Sequence, residues 1–385
     1  MRILFCTDTY PPQVNGVSVV TALSVQGLRA RGWDVEVIAP RYPAATPVVF
    51  APELLRDRLT SVPAVPLPGY PDIRLAAPAR GTVRDVIDRF RPDVVHSATE
   101  FVIGRLGQRA ALRRGLAVTT SYHTDFARYT ESYGVAFLRH PVRRWIRRFH
   151  TRAARIFTPS DASRADLVAL GLTDVEVWGR GVDDGLFHPS RRSPALRQRL
   201  SLGDAFTFLH VGRLAPEKGI AVLLAAFAIV EGVLGPDAVK LVVAGAGPSL
   251  AALRARAPRN VTFLGNLDRQ HELPALYASA DAFLFASTTE TLGLVVLEAM
   301  AAGLPVIATP AGGVADNLRD GENGLAFPPG DAAACAAAMQ RLVGDEVLQR
   351  TLRDGARRWS ERRTWEHELD RLDTSYREVL SRSAR

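Results

Sequence analysis

Lysine is nearly missing from this chain: of its 48 basic residues only Lys218 and Lys240 are lysine, and the rest are arginine. Cysteine is just as scarce. Cys6 and Cys335 fall in a predicted strand and a predicted helix far apart in sequence, which excludes a disulfide framework or a cysteine-based zinc site and fits a reducing cytoplasm. No run approaches the ~18 apolar residues of a spanning helix, and Met1-Arg-Ile-Leu-Phe-Cys-Thr-Asp reads as a strand, not a signal peptide. There is no short tandem repeat and no zinc spacing or RRM-like aromatic motif. Nucleic acid is therefore not an expected partner despite a net charge of +8. A basic surface then points to anionic membranes or phosphorylated substrates. Against this background a lysine kept in a glycine-flanked turn, Lys218, stands out.

What is present is an ordinary globular composition, 47% hydrophobic and 23% charged, on a chain long enough for two cores. Short apolar runs without polar alternation recur at Arg2–Thr7, Asp34–Ala39, Asp93–Ser97, Leu116–Ser121, Arg155–Pro159 and Val175–Trp178. They return at Thr207–Gly212, Lys240–Ala244, Val261–Leu264, Ala282–Ala286 and Pro305–Ala308. Helical stretches separate them. Such strands are expected in parallel sheets covered on both faces. Seen twice, the pattern predicts an α/β protein of two Rossmann-like, doubly wound parallel-sheet domains facing a cleft. The turn-rich stretch Gly179–Pro189 marks the seam. The expected division is 1–180 and 181–365, with a charged terminal helix, 366–385, returning to brace the first domain.

Ligands of open parallel sheets bind outside the carboxyl ends of the strands, and the informative residues follow strand ends. Val211-Gly-Arg-Leu-Ala-Pro-Glu-Lys-Gly219 places Arg213 and Lys218 in one strand-to-helix turn. A fork-shaped guanidinium and a point charge suit a diphosphate leaving group, whose growing negative charge preorganised cations stabilise. Glu290 and Glu298 flank a second such turn, Glu-Thr-Leu-Gly-Leu-Val-Val-Leu-Glu. Each carboxylate can accept from a pair of vicinal hydroxyls, one on a hexose and one on a ribose. The amides of Leu292, Gly293 and Leu294 between them would open a helix, a ready anion site. A carboxylate at Glu298, inside an apolar run, also demands a partner.

Taken with Ala302-Gly-Leu-Pro-Val-Ile-Ala-Thr-Pro-Ala-Gly-Gly313, Asp8-Thr-Tyr-Pro-Pro-Gln-Val-Asn-Gly-Val17, Gly181-Val-Asp-Asp-Gly-Leu-Phe187 and Asp320-Gly-Glu-Asn-Gly-Leu325, these motifs resemble, from end to end, the retaining glycosyltransferases of family 4, with the GT-B fold. The resemblance implies Glu290 on the donor sugar, Glu298 on the ribose, and Arg213 with Lys218 on the diphosphate. Gly16 resembles the glycine of a loop that closes on the donor phosphates, although Asn15 stands where many members have a second glycine. Ser121-Tyr-His-Thr-Asp-Phe126 looks like a signature of bacterial mannosyltransferases and glycolipid synthases. It implies His123 near the reacting carbon and Asp125, with Tyr129 or Tyr133, toward the acceptor. A lone histidine in such a place would otherwise read as a core or capping residue. The segment Val95–Glu100 is a second candidate for the acceptor pocket.

Two further segments bear on specificity. Asp268 follows Phe263-Leu-Gly-Asn-Leu267 and is either a reader of guanine N–H donors or a plain cap for the next helix. Across Pro141–Ile156, Val142, Trp145, Ile146, Phe149, Ala153 and Ile156 share one helical face. Arg143, Arg144, Arg147, Arg148, Arg152 and Arg155 fill the remainder. That helix either lies on anionic lipid headgroups or packs on the sheet with a solvated basic outside. The expectation is a hexosyltransferase moving mannose from GDP-mannose to a lipid-linked or glycolipid acceptor. It would need no cofactor and no metal, and would sit peripherally on the inner face of the cell membrane. The alternatives are a UDP-sugar-dependent transferase acting on diacylglycerol, a GT-B nucleotide-sugar epimerase, and a non-catalytic nucleotide-sugar-binding subunit.

Overall fold

The computed structural model describes residues 1–13, 15–43, 58–67, 70–79, 81–127, 135–179 and 181–383. The chain separates into two compact units. One comprises Met1–Ala127, Phe137–Arg180 and Glu366–Arg385; the other is built around Gly181–Trp365.

In the first unit, strands β1 (Arg2–Cys6), β2 (Asp34–Pro40), β3 (Arg58–Val62), β6 (Val94–Ser97), β7 (Ala117–Ser121), β8 (Arg155–Thr158) and β9 (Val175–Val177) form one sheet. Its order is β3-β2-β1-β6-β7-β8-β9, and every pairing is parallel. Strands β4 (Ala64–Leu67) and β5 (Tyr70–Ala76) make a separate antiparallel pair. The order reverses direction beside β1, so the loops after β1, β6 and β7 gather at the switch point where such sheets bind ligands.

The terminal helix Trp365–Ser383 packs on this sheet by polar ties as well as apolar ones. Trp33 Nε1 donates to Asp373 Oδ1 at 2.6 Å, and Trp178 Nε1 donates to the Glu368 carbonyl at 2.8 Å. Tyr376, fully buried, places its hydroxyl 3.0 Å from His96 Nδ1. Gly27 lets the terminal helix pack closely: a Cβ there would meet Leu369 Cδ1 at 2.2 Å, so the leucine side chain would have to shift.

The second unit holds β10 (Phe206–Val211), β11 (Val239–Ala244), β12 (Val261–Gly265), β13 (Ala282–Phe285), β14 (Val306–Ala308) and β15 (Gly324–Ala326). They are ordered β12-β11-β10-β13-β14-β15, again all parallel. Alternate strand residues feed two cores. Leu209, Val242, Phe283 and Val306 face one, and Phe208, Leu241, Leu284 and Ile307 the other, as a sheet buried on both faces requires.

Three features differ from the expectation. Strands β3, β4, β5 and β15 carry no apolar-run signal: β3 reads Arg-Leu-Thr-Ser-Val, β4 contains Pro66, and β15 has three residues. The arginine-rich helix is Arg139–His150 and stops short of Ile156, which lies on β8. Arg155 is accordingly not on a solvated helix face. It is buried on β8, where Nη1 donates to Glu176 Oε2 at 2.6 Å and Glu378 Oε2 at 3.2 Å.

Candidate functional site

The turn after β10 winds through a short 3-10 segment, Pro216–Lys218, and is closed by Gly219. Its geometry aims two cations differently. Arg213 pairs back onto Glu217, whose carboxylate is buried, with Oε2 making no hydrogen bond. Lys218 reaches across 72 residues to Glu290, Nζ to Oε2 at 2.6 Å, with side chains 13% and 22% exposed. So the two charges expected to meet a diphosphate are each held by a carboxylate of the same unit.

Glu290 sits on the loop between β13 and the helix Leu294–Ala301. Gly293, buried and at φ +79°, is the N-cap and offers no side chain to the helix terminus, a backbone conformation that glycine adopts without strain. The loop is pinned from the far side. Gly313 N donates to the Glu290 carbonyl at 2.9 Å and Asn317 Nδ2 to the Leu292 carbonyl at 3.2 Å. Gly312, at φ +56°, passes so close that a Cβ would lie 2.0 Å from the Glu290 oxygen. Glu298, one turn into the helix and 3% exposed, receives Arg269 Nε and Nη2 on Oε1 at 3.0 and 2.8 Å and the Tyr277 hydroxyl on Oε2 at 3.2 Å. This is the partner its burial demanded.

Asp268 caps its own turn. Its Oδ1 accepts from the backbone of Gln270 at 2.8 Å and from the backbone and ring of His271 at 2.7 and 2.9 Å. Burial works to raise its pKa, but the hydrogen bonds from His271 and Gln270 outweigh it and hold the carboxyl below the ordinary value.

Beneath the turn, His210 on β10 is wholly buried. Its Nδ1 donates to the Leu284 carbonyl at 3.0 Å, while Nε2 makes no hydrogen bond. Burial pushes its pKa from 6.5 down to about 4. The Leu284 bond opposes that shift, and the charge of Lys218 adds to it. The unfolded chain therefore takes up a proton between these values that the folded one refuses. The stability contributed by neutral His210 is complete above pH 6.5 and is lost as pH falls toward 4. Thermal or urea unfolding at pH 5 should show about 2 kcal/mol less stability from this group than at pH 7. His210→Gln should remove that component, and an unchanged pH profile in the variant would assign it elsewhere.

In the first unit Asn15 explains itself. As N-cap of the helix Gly16–Ala30 it accepts from Ser18 N at 2.9 Å and donates to Thr9 Oγ1 at 2.8 Å. Gly16 is exposed, with open space where a Cβ would stand. Asp8 ties β1 to the helix Val102–Leu112 by accepting from Ile103 N at 2.9 Å and Gly104 N at 3.3 Å. After β7, His123 is half-buried and Asp125 buried. The Tyr122 hydroxyl bonds to Asp125, and burial first, then Asp125, raise the tyrosine pKa. His96 is a core residue. Thr119, Ser121 and Tyr376 surround its ring nitrogens at 3.0 Å each. Tyr129 and Tyr133 lie outside the described residues.

The description "Glycosyltransferase Family 4" matches residues 14–186, and "Glycosyl transferases group 1" matches residues 193–359. A GDP-mannose-dependent alpha-mannosyltransferase of Mycolicibacterium smegmatis is 35% identical over 99% of this chain and 98% of its own. The chain belongs to glycosyltransferase family 4. An alpha-monoglucosyldiacylglycerol synthase of Streptococcus pneumoniae is 32% identical over 80% of this chain and 71% of its own. Sucrose-phosphate synthase from Thermosynechococcus elongatus superposes with a TM-score of 0.78 at 21% identity, covering 99% of each chain. The fold is thus GT-B, and the protein is a glycosyltransferase whose relatives include mannosyltransferases and glycolipid synthases.

Among the donor-side residues expected from sequence, the structure brings Lys218 and Glu290 into contact and sets Arg213 in the same turn. Glu298 stands apart from that pair, with partners of its own. Sequence reasoning missed Glu217, Arg269 and Tyr277. The buried position of Glu298 called for a donor, and Arg269 directly follows the flagged Asp268. Tyr277 carried no signal.

Proposed function

We propose that this family 4 enzyme transfers mannose from GDP-mannose, with retention, to a lipid-linked or glycolipid acceptor at an anionic membrane surface. The observation that carries the donor half is the Lys218–Glu290 contact beside Arg213, together with full-length relatives named for GDP-mannose. Glu290 holds hydroxyls of the transferred sugar; Arg213 and Lys218 take the charge of the leaving diphosphate, without a metal. The bond from the anomeric carbon to the diphosphate oxygen breaks as the acceptor hydroxyl oxygen attacks from the same face. The departing phosphate oxygen accepts the acceptor proton. Asp268, besides capping its own turn, would contact the base, Gly16 the donor phosphates, and His123 and Asp125 the sugar and acceptor.

Thermal unfolding with GDP, UDP and ADP tests the donor. GDP should raise the midpoint most, because a ligand that binds only the folded state stabilises it by mass action. Labelled GDP-mannose incubated with membrane lipid extract should yield labelled lipid. Stabilisation by UDP alone would move the assignment to a UDP-sugar transferase, and label appearing only as epimerised sugar nucleotide would make the enzyme an epimerase.

The acceptor half is supported by the helix Arg139–His150. It buries Ile146, Phe149 and His150 while Arg144, Arg147 and Arg148 stay exposed. A groove of about 630 Å³ beside it is lined by Arg105, His140, Arg144, Trp145 and Arg148. Phe101, Val102 and Phe137 are large apolar side chains left exposed in the same unit. Among the described residues no helix is long and apolar enough to cross a membrane. Basic residues near an anionic bilayer contribute on the order of 1 kcal/mol each. Replacing Arg143, Arg144, Arg147 and Arg148 together should weaken binding to phosphatidylglycerol vesicles at least about tenfold at low salt, and less at high salt. Unaltered sedimentation with vesicles would refute the surface.

A further inference from the structure

Glu298 is held more completely than a single hydroxyl-binding carboxylate needs. Arg269 contacts Oε1 through two nitrogens, at 3.0 and 2.8 Å, and Tyr277 contacts Oε2 at 3.2 Å. Those two residues are fixed in turn. The Arg269 guanidinium, on a side chain 11% exposed, stands 5.1 Å from the centroid of Phe187. Phe187 meets Tyr277 edge-on at 5.5 Å and 85°. Arg269, Phe187, Tyr277 and Glu298 thus close a ring of contacts in which each touches two others. The Tyr277 hydroxyl has its pKa pushed well above the ordinary value, by burial first and by Glu298 next, so it remains a donor.

A carboxylate offers about four acceptor positions. Arg269 fills both positions on Oε1 and Tyr277 takes one of the two on Oε2, so about one acceptor position remains, on Oε2, with its direction fixed. Without those donors a buried carboxylate would be left unpaired and would rotate away toward other donors or water.

We propose that Arg269 and Tyr277 are positioning residues that hold Glu298 in the one orientation able to accept a ribose hydroxyl on Oε2, so that the enzyme selects ribonucleotide over deoxyribonucleotide donors. This rests on the reading that Glu298 meets the ribose. It assigns the ring of contacts a role in ligand choice, which a purely structural ion pair would not have.

The test compares GDP with 2′,3′-dideoxy-GDP by calorimetry on the full chain, for wild type, Glu298→Gln, Arg269→Met, Arg269→Lys and Tyr277→Phe. Hydrogen bonds to a charged group sustain a preference of about tenfold to a hundredfold, so wild type should favour GDP by at least about tenfold. Arg269→Met and Tyr277→Phe should bind the dideoxy compound as wild type does yet lose most of the preference, and the donor KM should rise by more than kcat falls. Arg269→Lys, which keeps the charge and loses the fork, should fall between. Should Arg269→Met not fold, Arg269→Lys and Tyr277→Phe decide on the same ratio. Folded variants that keep the full preference overturn the positioning role. If wild type shows no preference, or Glu298→Gln retains all of it, the ribose reading of Glu298 itself fails, and the proposal with it.

Discussion

Lys218→Ala and Glu290→Ala should each lower turnover by about 10²–10³-fold, the usual effect of removing one preorganised charge from a transition-state site, while the protein stays folded. The two side chains are in contact at 2.6 Å and only partly exposed, so neither is a freely solvated surface residue. Removing the lysine strips the diphosphate of a cation and leaves Glu290 without its partner. Removing the glutamate ends the ion pair and deletes the acceptor for the sugar. Glu290→Gln separates these effects, because it preserves shape and one acceptor oxygen while ending the ion pair. Steady-state kinetics with GDP-mannose, beside thermal unfolding of each variant, reads the outcome. Wild-type turnover in both alanine variants would refute the site.

Gly312→Ala should cost activity through a single added methyl. Its backbone is left-handed at φ +56°, and the new Cβ would stand 2.0 Å from the Glu290 carbonyl oxygen. A side chain in that backbone region costs about 1 kcal/mol or more by itself. The contact with Glu290 adds to it, because the obstacle is backbone and cannot swing aside. The loop must move, and displacing a reacting group by about 1 Å can cost 10²-fold in rate. Gly321→Ala is the matched control. It too has positive φ, +76°, but open space around its Cβ position, so it should show the backbone strain without the loss of activity. Equal kinetics in the two variants would mean that the Glu290 loop tolerates displacement.

The strands that could be read from sequence were those buried on both faces, such as Phe206–Val211 and Val239–Ala244, where an unbroken apolar run is the physical signature. Arg58–Val62 escaped because it is an edge strand with polar residues, and Ala64–Leu67 because Pro66 interrupts it. The apolar run marked Arg155–Pro159 as a strand, as it is, but periodicity also ran the arginine-rich helix on to Ile156, because a helical wheel cannot see the turn at Thr151–Arg152. Only the packed chain shows that Arg155 meets Glu176 and, 223 residues away, Glu378. The site was legible as residue types at strand ends. That Glu298 needed a partner also followed from its apolar surroundings, but the choice of Arg269 and Tyr277, 29 and 21 residues upstream, is made by tertiary packing. Lys218 meeting Glu290 across two strand ends is likewise a product of the order β10-β13 in the sheet.

The two carboxylate partners of Arg213 and Lys218 have an effect that reaches beyond local geometry. Two positive and two negative groups stand together around the turn after β10, and their formal charges cancel. From more than a Debye length, about 8 Å at physiological ionic strength, an approaching nucleotide sugar meets nearly no net charge from these four groups. Its diphosphate feels the cations only at contact range, where each already holds a carboxylate. Donor capture would then proceed with little long-range attraction, so added salt should slow it far less than it would at a site of two bare cations.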